Sequence, residues 1–239
     1  MPFPGELKEN LDLAGKTLQQ TFLGQGTQAA GQATPEQLME AIHQFIYVFD
    51  KIDMEHGERG AILYDDVSQL GDYAIGCLID LAFWADRLVL PKHKLDFERV
   101  ALGVAHWVVR HEGEIRTIEP LVNALAASAN STESKDALKA LLPIMQNIIE
   151  HASLTLKNDL EKNDPTRAWR ILNLNYAIVA TRTQEPALMQ KAYDTLEINL
   201  PEDCPSFFEE GLKQAEKAVY GQDVKAMMKD YFGKWTTRH

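Results

Sequence analysis

The stretch VSQLGDYAIGCLIDLAFWADRLVL, residues 67–90, decides the fold. One set of its apolar residues recurs every three or four positions, as on one face of an α-helix, and Ile75, Ile79 and Phe83 add apolar character to a second face. A helix that is apolar on most sides is buried among its neighbours. We therefore predict that this stretch forms the central helix of a helical protein. Its main face comprises Val67, Leu70, Ala74, Cys77, Leu81, Trp84 and Leu88.

Paired aspartates precede this helix in YDDVSQLGDY, residues 64–73. In prenyl-synthase-like helices the pattern D-D-x-x-D holds magnesium, because aspartates four residues apart share one helix face. Here Gln69 follows Asp65 by four residues and Leu70 follows Asp66 by four, so the pattern is incomplete. Asp66 and Gln69 fit a capping box instead. The sequence thus predicts Asp66 at the N-cap, with no metal between the aspartates.

Helical periodicity continues along the chain, and we find no convincing strand pattern of period two. Thr34 can cap a helix that has Pro35 at its first position and Gln37 in a capping box. Pro91 predicts an interruption, followed by a helix from Asp96 to about His111. Because short connections favour antiparallel neighbours, the predicted fold is all-α and built from antiparallel helical hairpins.

Towards the C-terminus the predicted helices become shorter and occur in pairs. We predict a single domain, residues 1–239, with a bundle-like part over residues 1–160 and a part of shorter, paired helices over residues 161–239. Pro165 and Pro186 mark two of the later helix starts, since proline is favoured in the first turn of a helix.

Three residues of the later part, Trp169, Leu172 and Tyr176, have the spacing W-x-x-L-G-x-x-Y of the first helix of a tetratricopeptide repeat. Met189 and Ala192 stand where the second helix of that family has a bulky and a small residue.

Residues 165–235 therefore resemble the tetratricopeptide-repeat family, although Asn173 replaces its glycine and Pro186 would lie inside its second helix. The resemblance implies an α-solenoid-like stack of hairpins with a concave surface for a partner.

The chain is acidic, with a net charge of −11 from 35 acidic and 24 basic residues. Such a charge repels polyanions, so we expect neither a nucleic acid nor a membrane as partner. Glu6, Lys8, Glu9 and Asp12 stand where a signal peptide needs an apolar core, which favours a cytoplasmic location.

Candidate metal and cofactor motifs are incomplete. Asp53 and His56 could share one helix face, but no second Glu-x-x-His pair accompanies them as helical-bundle metal sites require. GQGTQAA, residues 24–30, matches a dinucleotide fingerprint only superficially, because an amphipathic helix rather than a strand precedes it. We predict no metal and no cofactor.

The most concentrated polar chemistry lies in HWVVRHEGEIRTIEP, residues 106–120. His106, Arg110 and His111 could line a ligand pocket or perform acid–base chemistry. The alternative is a buried polar network that fixes the turn at a helix junction.

Arginines repeat along the first helix of the repeat-like pair. Arg167, Arg170 and Asn173 are spaced by three, and Arg182 follows. In an acidic chain these residues are candidates for contacts with a peptide or an acidic tail, and the alternative is a solvated helix face.

The most economical function is non-catalytic, because no nucleophile motif such as G-x-S-x-G is present. We expect a cytosolic interaction or scaffold domain that binds a peptide or protein partner. The alternatives are a small-ligand-binding protein or enzyme with a pocket near His106, and a homo-oligomer formed through the apolar residues Tyr231, Phe232 and Trp235.

Overall fold

The computed structural model describes residues 3–57, 64–158, 164, 166–217 and 220–236. In these ranges the chain is all-α, as predicted: they contain helices and no strand, and the isolated bridge between Ile115 and Ala152 is the one β-type pairing. No helix within them has both the length and the apolar character needed to cross a membrane. The helices are α1 (Gly5–Gly24), α2 (Pro35–His56), α3 (Tyr64–Arg87), α4 (Pro91–Arg110), α5 (Glu119–Asn130), α6 (Lys135–His151), α7 (Leu154–Lys157), α8 (Ala168–Thr183), α9 (Pro186–Asn199), α10 (Cys204–Lys217) and α11 (Gln222–Thr236).

The chain divides into two compact units. Unit 1 comprises residues 1–124 together with 151–153, and unit 2 comprises residues 125–150 and 154–239. The division falls earlier than the predicted boundary at residue 160, because the end of α5 and most of α6 belong to the same unit as the later helices. Lys139 of α6 forms an ion pair with Glu185 at the start of α9. The single domain remains a prediction.

Helix α3 is the central helix of unit 1, and it packs against α4 and α2, while α1 packs on both of these. Most of the predicted face is buried, although Cys77 is only half-buried and Phe83, on the second face, is 49% exposed. Gly71 allows α3 to approach α4 closely, since a Cβ at this position would overlap Cγ2 of Val108. The buried members of the predicted face are Val67, Ala74, Leu81, Trp84 and Leu88.

The start of α3 differs from the prediction. The helix begins at Tyr64, so Asp66 lies inside its first turn, exposed, and the predicted N-cap is wrong. Gln69 donates to the Tyr73 hydroxyl at 3.1 Å instead of completing a capping box. An acidic residue in the first turn is favourable beside the positive helix end, which is consistent with the earlier start. The side chain of Asp65 lies outside the described ones.

Two of the prolines at predicted helix boundaries, Pro35 and Pro91, each occupy the first turn of a helix. Pro35 occupies the first turn of α2, and the capping box is confirmed by the bonds between the Gln37 amide and Thr34 Oγ1 (3.3 Å) and between the Thr34 amide and Gln37 Oε1 (2.9 Å). Pro91 also starts a helix, α4. The predicted interruption is confirmed, because α3 ends at Arg87, but the predicted start at Asp96 is wrong. A proline that lacks an N–H fits the first turn, where that donor has no helical partner.

In unit 2, α8 packs on α9 and α10 packs on α11, and α9 also contacts α11. Pro186 stands at the first position of α9, outside the helix interior where the tetratricopeptide pattern would place it. The residues that carry the resemblance are buried between the helices of the first hairpin, as pairing of large and small residues requires. The repeat family itself remains a prediction. These residues are Trp169, Leu172, Tyr176, Met189 and Ala192.

Candidate functional site

A half-open cavity of about 320 Å³ lies in unit 2, between α8 and α10, with α11 contributing to one end. We call it the α8–α10 groove. Four of its residues are spaced by four along α8 and therefore share one face of that helix. They are Arg170, Leu174, Ile178 and Arg182.

The opposite side of the groove comes from α10 and the segment after it. Phe207 and Met228 face the apolar residues of α8, and Glu210 adds an acidic group. Gly211 keeps α10 close to α11, since a Cβ here would lie 2.6 Å from Cε of Met228. Ile178 is 45% exposed, so part of the apolar lining is accessible to a binding partner.

Arg170 closes one end of the groove. Its Nε and Nη2 donate to Asp203 Oδ1 at 3.0 and 2.6 Å, and Nε also lies 3.2 Å from Oδ2. Hydrogen bonds between charged groups of this kind are stronger than neutral ones. The charge at this end is therefore largely neutralised, and the pair fixes the start of α10 against α8.

Arg182 lies at the other end and is held differently. Its Nη1 and Nη2 donate to the carbonyl oxygens of Ala129 (2.9 Å) and Thr132 (2.7 Å). In the described part of the chain its ion-pair partner is Glu133, at 3.9 Å, whose side chain is 99% exposed. Carbonyl groups orient a guanidinium without cancelling its charge, and an ion pair with an exposed glutamate is weak and screened by solvent. Arg182 therefore presents a fixed positive charge to the groove.

The two remaining predicted contact residues lie outside the groove lining. Asn173 is buried, donates to the Trp169 carbonyl oxygen at 2.9 Å and accepts from Asn199 at 2.7 Å, so it holds α8 against α9. Arg167 precedes α8 at its N-cap position and makes its own contacts there. The structure thus brings Arg170 and Arg182 together in one groove, and does not bring Asn173 or Arg167 into it.

The predicted C-terminal apolar residues are partly engaged within unit 2. Tyr231 is buried, its hydroxyl donates to Asp194 at 2.6 Å, and burial followed by this hydrogen bond raises its pKa. Trp235 Nε1 donates to Glu197 at 2.9 Å. A homo-oligomer formed through this face stays a prediction.

The polar cluster of unit 1 converges on Asp53 of α2. Oδ1 accepts from Trp107 Nε1 at 3.1 Å and contacts His111 Nε2 at 2.7 Å, while Oδ2 accepts from Arg110 Nη2 at 2.9 Å. The His111 side chain is fully buried and that of Asp53 is 4% exposed. This is a buried network that joins α2 to the end of α4.

Two opposing influences set the pKa of Asp53. Burial alone would raise it, but the hydrogen bonds from His111 and Arg110, and then their charges, outweigh burial and lower the pKa below its ordinary value. The carboxylate is therefore ionised and paired. His106, by contrast, lies exposed on α4 and outside this network, so the three residues of the predicted pocket do not converge.

The predicted metal candidates are also separated. Asp53 is engaged by three side chains at the end of α4 and directly after it, whereas His56 lies exposed at the last position of α2. Among the residues described, no group of three or more histidine, cysteine, aspartate or glutamate side chains is placed to hold a metal ion.

The fold is that of an all-α protein of helical hairpins, and a half-open cavity lies between two helices of its second unit. Comparisons with protein-family models, with curated proteins and with solved structures found no match. A function for this chain must therefore be argued from the geometry of its own side chains.

Proposed function

We propose that the protein is a cytosolic interaction domain that binds a peptide segment of a partner protein in the α8–α10 groove. The observation that carries this proposal is the groove itself: accessible apolar side chains lie between a neutralised Arg170 and a charged Arg182. Apolar contacts supply affinity, and a few fixed polar groups supply orientation.

The position of the groove supports a peptide ligand. It lies between α8 and α10, the first helices of two successive hairpins, and the concave surfaces of helical repeats bind extended partners in this way. From Arg170 to Arg182 the helix rises about 18 Å at 1.5 Å per residue. That length matches about five extended residues.

The charges of the groove favour one kind of peptide. A carboxylate of the peptide would pair with Arg182, whose guanidinium is already oriented by two carbonyl groups, and apolar side chains would cover Ile178 and Phe207. Because the protein carries a net charge of −11, a strongly acidic peptide would be repelled over longer distances. We therefore expect a mainly apolar peptide with a single acidic residue.

A selection from a phage-displayed library of random peptides tests the proposal. Peptides of about 12 residues can span the groove as a helix or as an extended chain. The selected peptides should share apolar residues and one acidic residue, and their Kd is measured by isothermal titration calorimetry. An absence of enrichment over an immobilised control protein would contradict the proposal.

Two matched variants locate the binding site. Ile178→Arg places a charge in the groove at a side chain that is 45% exposed, whereas Ile198→Arg makes the same change on α9 at a side chain that is 80% exposed and outside the groove. We expect Ile178→Arg to raise the Kd at least about tenfold, because a charge would have to be desolvated on binding. Ile198→Arg should leave it unchanged, and equal effects of the two variants would refute this site.

A third variant tests the charge preference. Arg182→Gln removes the positive charge and retains a side-chain amide that can donate to a main-chain carbonyl. Selection with this variant should lose the preference for an acidic residue while keeping the apolar ones. The alternative of a ligand pocket near His106, Arg110 and His111 has less support, because Arg110 and His111 are already engaged by Asp53.

A further inference from the structure

A second cavity, of about 210 Å³, lies in unit 1 between α3, α4 and the start of α5. We call it the Glu98 cavity. One part of its wall is apolar and includes Phe83, whose side chain is 49% exposed. The apolar lining residues are Ile79, Ala82, Phe83 and Pro120.

The polar part of the wall is unbalanced in charge. It contains the carboxyl groups of Asp86, Glu98 and Glu119 and the ammonium group of Lys94. Lys94 Nζ donates to Asp86 Oδ1 at 3.0 Å, so this base is already paired. Glu98 and Glu119 have no ion-pair partner within the described ranges. The wall therefore has three carboxyl groups for one ammonium group, and the charge of Lys94 offsets only part of the effect of burial on the pKa of Glu98, which remains raised.

Glu98 is the more unusual of the two, because the residue is only 6% exposed. Its Oε1 accepts from Asn123 Nδ2 at 3.0 Å, and its Oε2 has no hydrogen-bond partner in the part of the chain that the structure describes. Burial of a carboxylate with one neutral partner is costly. A buried carboxyl group that lines a cavity and has a perturbed pKa is a candidate for a binding site.

We propose that the Glu98 cavity binds a small organic ammonium ion. The ammonium group would donate to Glu98 Oε2 and pair with Glu119, and the apolar body of the ligand would lie against Phe83 and Ile79. An ammonium group supplies the donors and the positive charge that these carboxylates lack, and the face of an aromatic ring attracts a cation.

The size and lining of the cavity define the class of ligand. A volume of about 210 Å³ is the share of about seven water molecules in the liquid, which suits an amine with a short apolar body. A bare divalent cation fits less well, because part of the wall is apolar and no described group of three ligating side chains converges there. The site is separate from the α8–α10 groove and does not depend on its function.

The test compares 2-phenylethylamine with 2-phenylethanol, which has the same shape and no charge at neutral pH. Both are titrated into the full chain at pH 7 by isothermal titration calorimetry, with magnesium chloride as a further probe. We expect the amine to bind with a Kd of about 1 mM or tighter, and the alcohol at least about tenfold more weakly. Equal binding of amine and alcohol, or tighter binding of magnesium, would overturn the proposal.

Three variants assign the amine to this cavity. Glu98→Gln keeps an acceptor for Asn123 and removes the charge, and it should weaken amine binding at least about tenfold. Phe83→Ala changes an exposed wall residue without threatening the core and should weaken binding about threefold. Glu40→Gln removes one charge from an exposed position on α2 and should have no effect. If Glu98→Gln and Phe83→Ala both bind the amine like wild type, the site is wrong.

Discussion

Replacing Asp53 by asparagine should destabilise unit 1 by about 3–5 kcal/mol. The Asp53 carboxylate accepts hydrogen bonds from Trp107 and Arg110 of α4 and from His111 directly after it, and Arg110 is charged. Asparagine has one acceptor oxygen and turns an amide group towards donors on its other side. With its oxygen in the Oδ1 position, asparagine keeps the bonds from Trp107 and His111 and loses the bond and the ion pair with Arg110. Removing one partner of a buried ion pair costs about 3–5 kcal/mol.

This loss is large beside the total stability of a protein, which is about 5–15 kcal/mol. With a urea slope of about 2 kcal/mol per molar, the midpoint of unfolding should fall by about 2 M. Far-UV circular dichroism measures the transition, and tryptophan fluorescence adds a local signal because Trp107 stacks on Phe49 with ring centroids 4.2 Å apart. Glu55→Gln, on the same helix with its side chain 55% exposed, should change the free energy of unfolding by less than about 0.5 kcal/mol.

The difference in the free energy of unfolding between wild type and Asp53→Asn should depend on pH, and this dependence tests the ionised state of Asp53. The pKa of Asp53 is lowered in the folded state from an ordinary value of 3.8. Its contribution to stability is therefore present above pH 3.8 and is lost as the pH falls through the folded pKa. The gap between wild type and Asp53→Asn should be constant near neutral pH and shrink below about pH 4. A gap that stays constant down to pH 2, or one below about 1 kcal/mol at pH 7, would refute the ionised, paired state.

Four further predictions concern single residues. Thr34→Ala removes the cap of α2 and should cost about 1 kcal/mol in urea unfolding. Gly71→Ala pushes a methyl group against Val108 of α4 and should cost about 1–3 kcal/mol. Burial raises the pKa of Glu98 above its ordinary value of 4.5, so ionisation of this carboxyl group lowers the stability as the pH rises through its folded-state pKa. Glu98→Gln should flatten this pH dependence and be no less stable than wild type at pH 7. A strong destabilisation of this variant at pH 7 would contradict the raised pKa. Burial raises the pKa of the Cys204 thiol to about 12. Mass spectrometry should therefore show no alkylation of Cys204 by iodoacetamide at pH 8 until urea unfolds the chain.

The features that the sequence predicts well are those encoded by neighbours in the chain. The capping box of Thr34 and Gln37 involves residues three apart, and its bonds form as expected. The periodic face of α3 is read from spacing alone. Both depend on local geometry, which does not change with the tertiary arrangement.

Helix starts are less certain because one residue type permits two outcomes. Pro91 can end a helix or occupy the first turn of the next one, and the second outcome is observed, in α4, which packs against α3. Asp66 can cap a helix or complement its dipole inside the first turn, and the second outcome is again observed. Neither choice can be made from the residue and its neighbours.

The sites depend on residues that are distant in sequence. Arg170 and Arg182 lie on one face of α8 and could be read from their spacing, but Asp203, which neutralises Arg170, stands 33 positions away. The partner of His111 is Asp53, 58 positions earlier. Glu98 has no motif around it, and its cavity exists only because α3 and α5 bring Phe83 and Glu119 beside it.

The two buried carboxylates of unit 1 show how structure and function can be separated. Asp53 and Glu98 are 8% and 6% exposed, but the pKa of Asp53 is lowered and that of Glu98 is raised. The difference lies in the partners, because Asp53 receives three donors including Arg110, whereas Glu98 receives one neutral amide. Asp53→Asn should therefore lower the stability and leave amine binding intact in the folded fraction. Glu98→Gln should leave the stability no lower than that of wild type and weaken amine binding. These opposite effects would distinguish a ligand site from a structural ion pair.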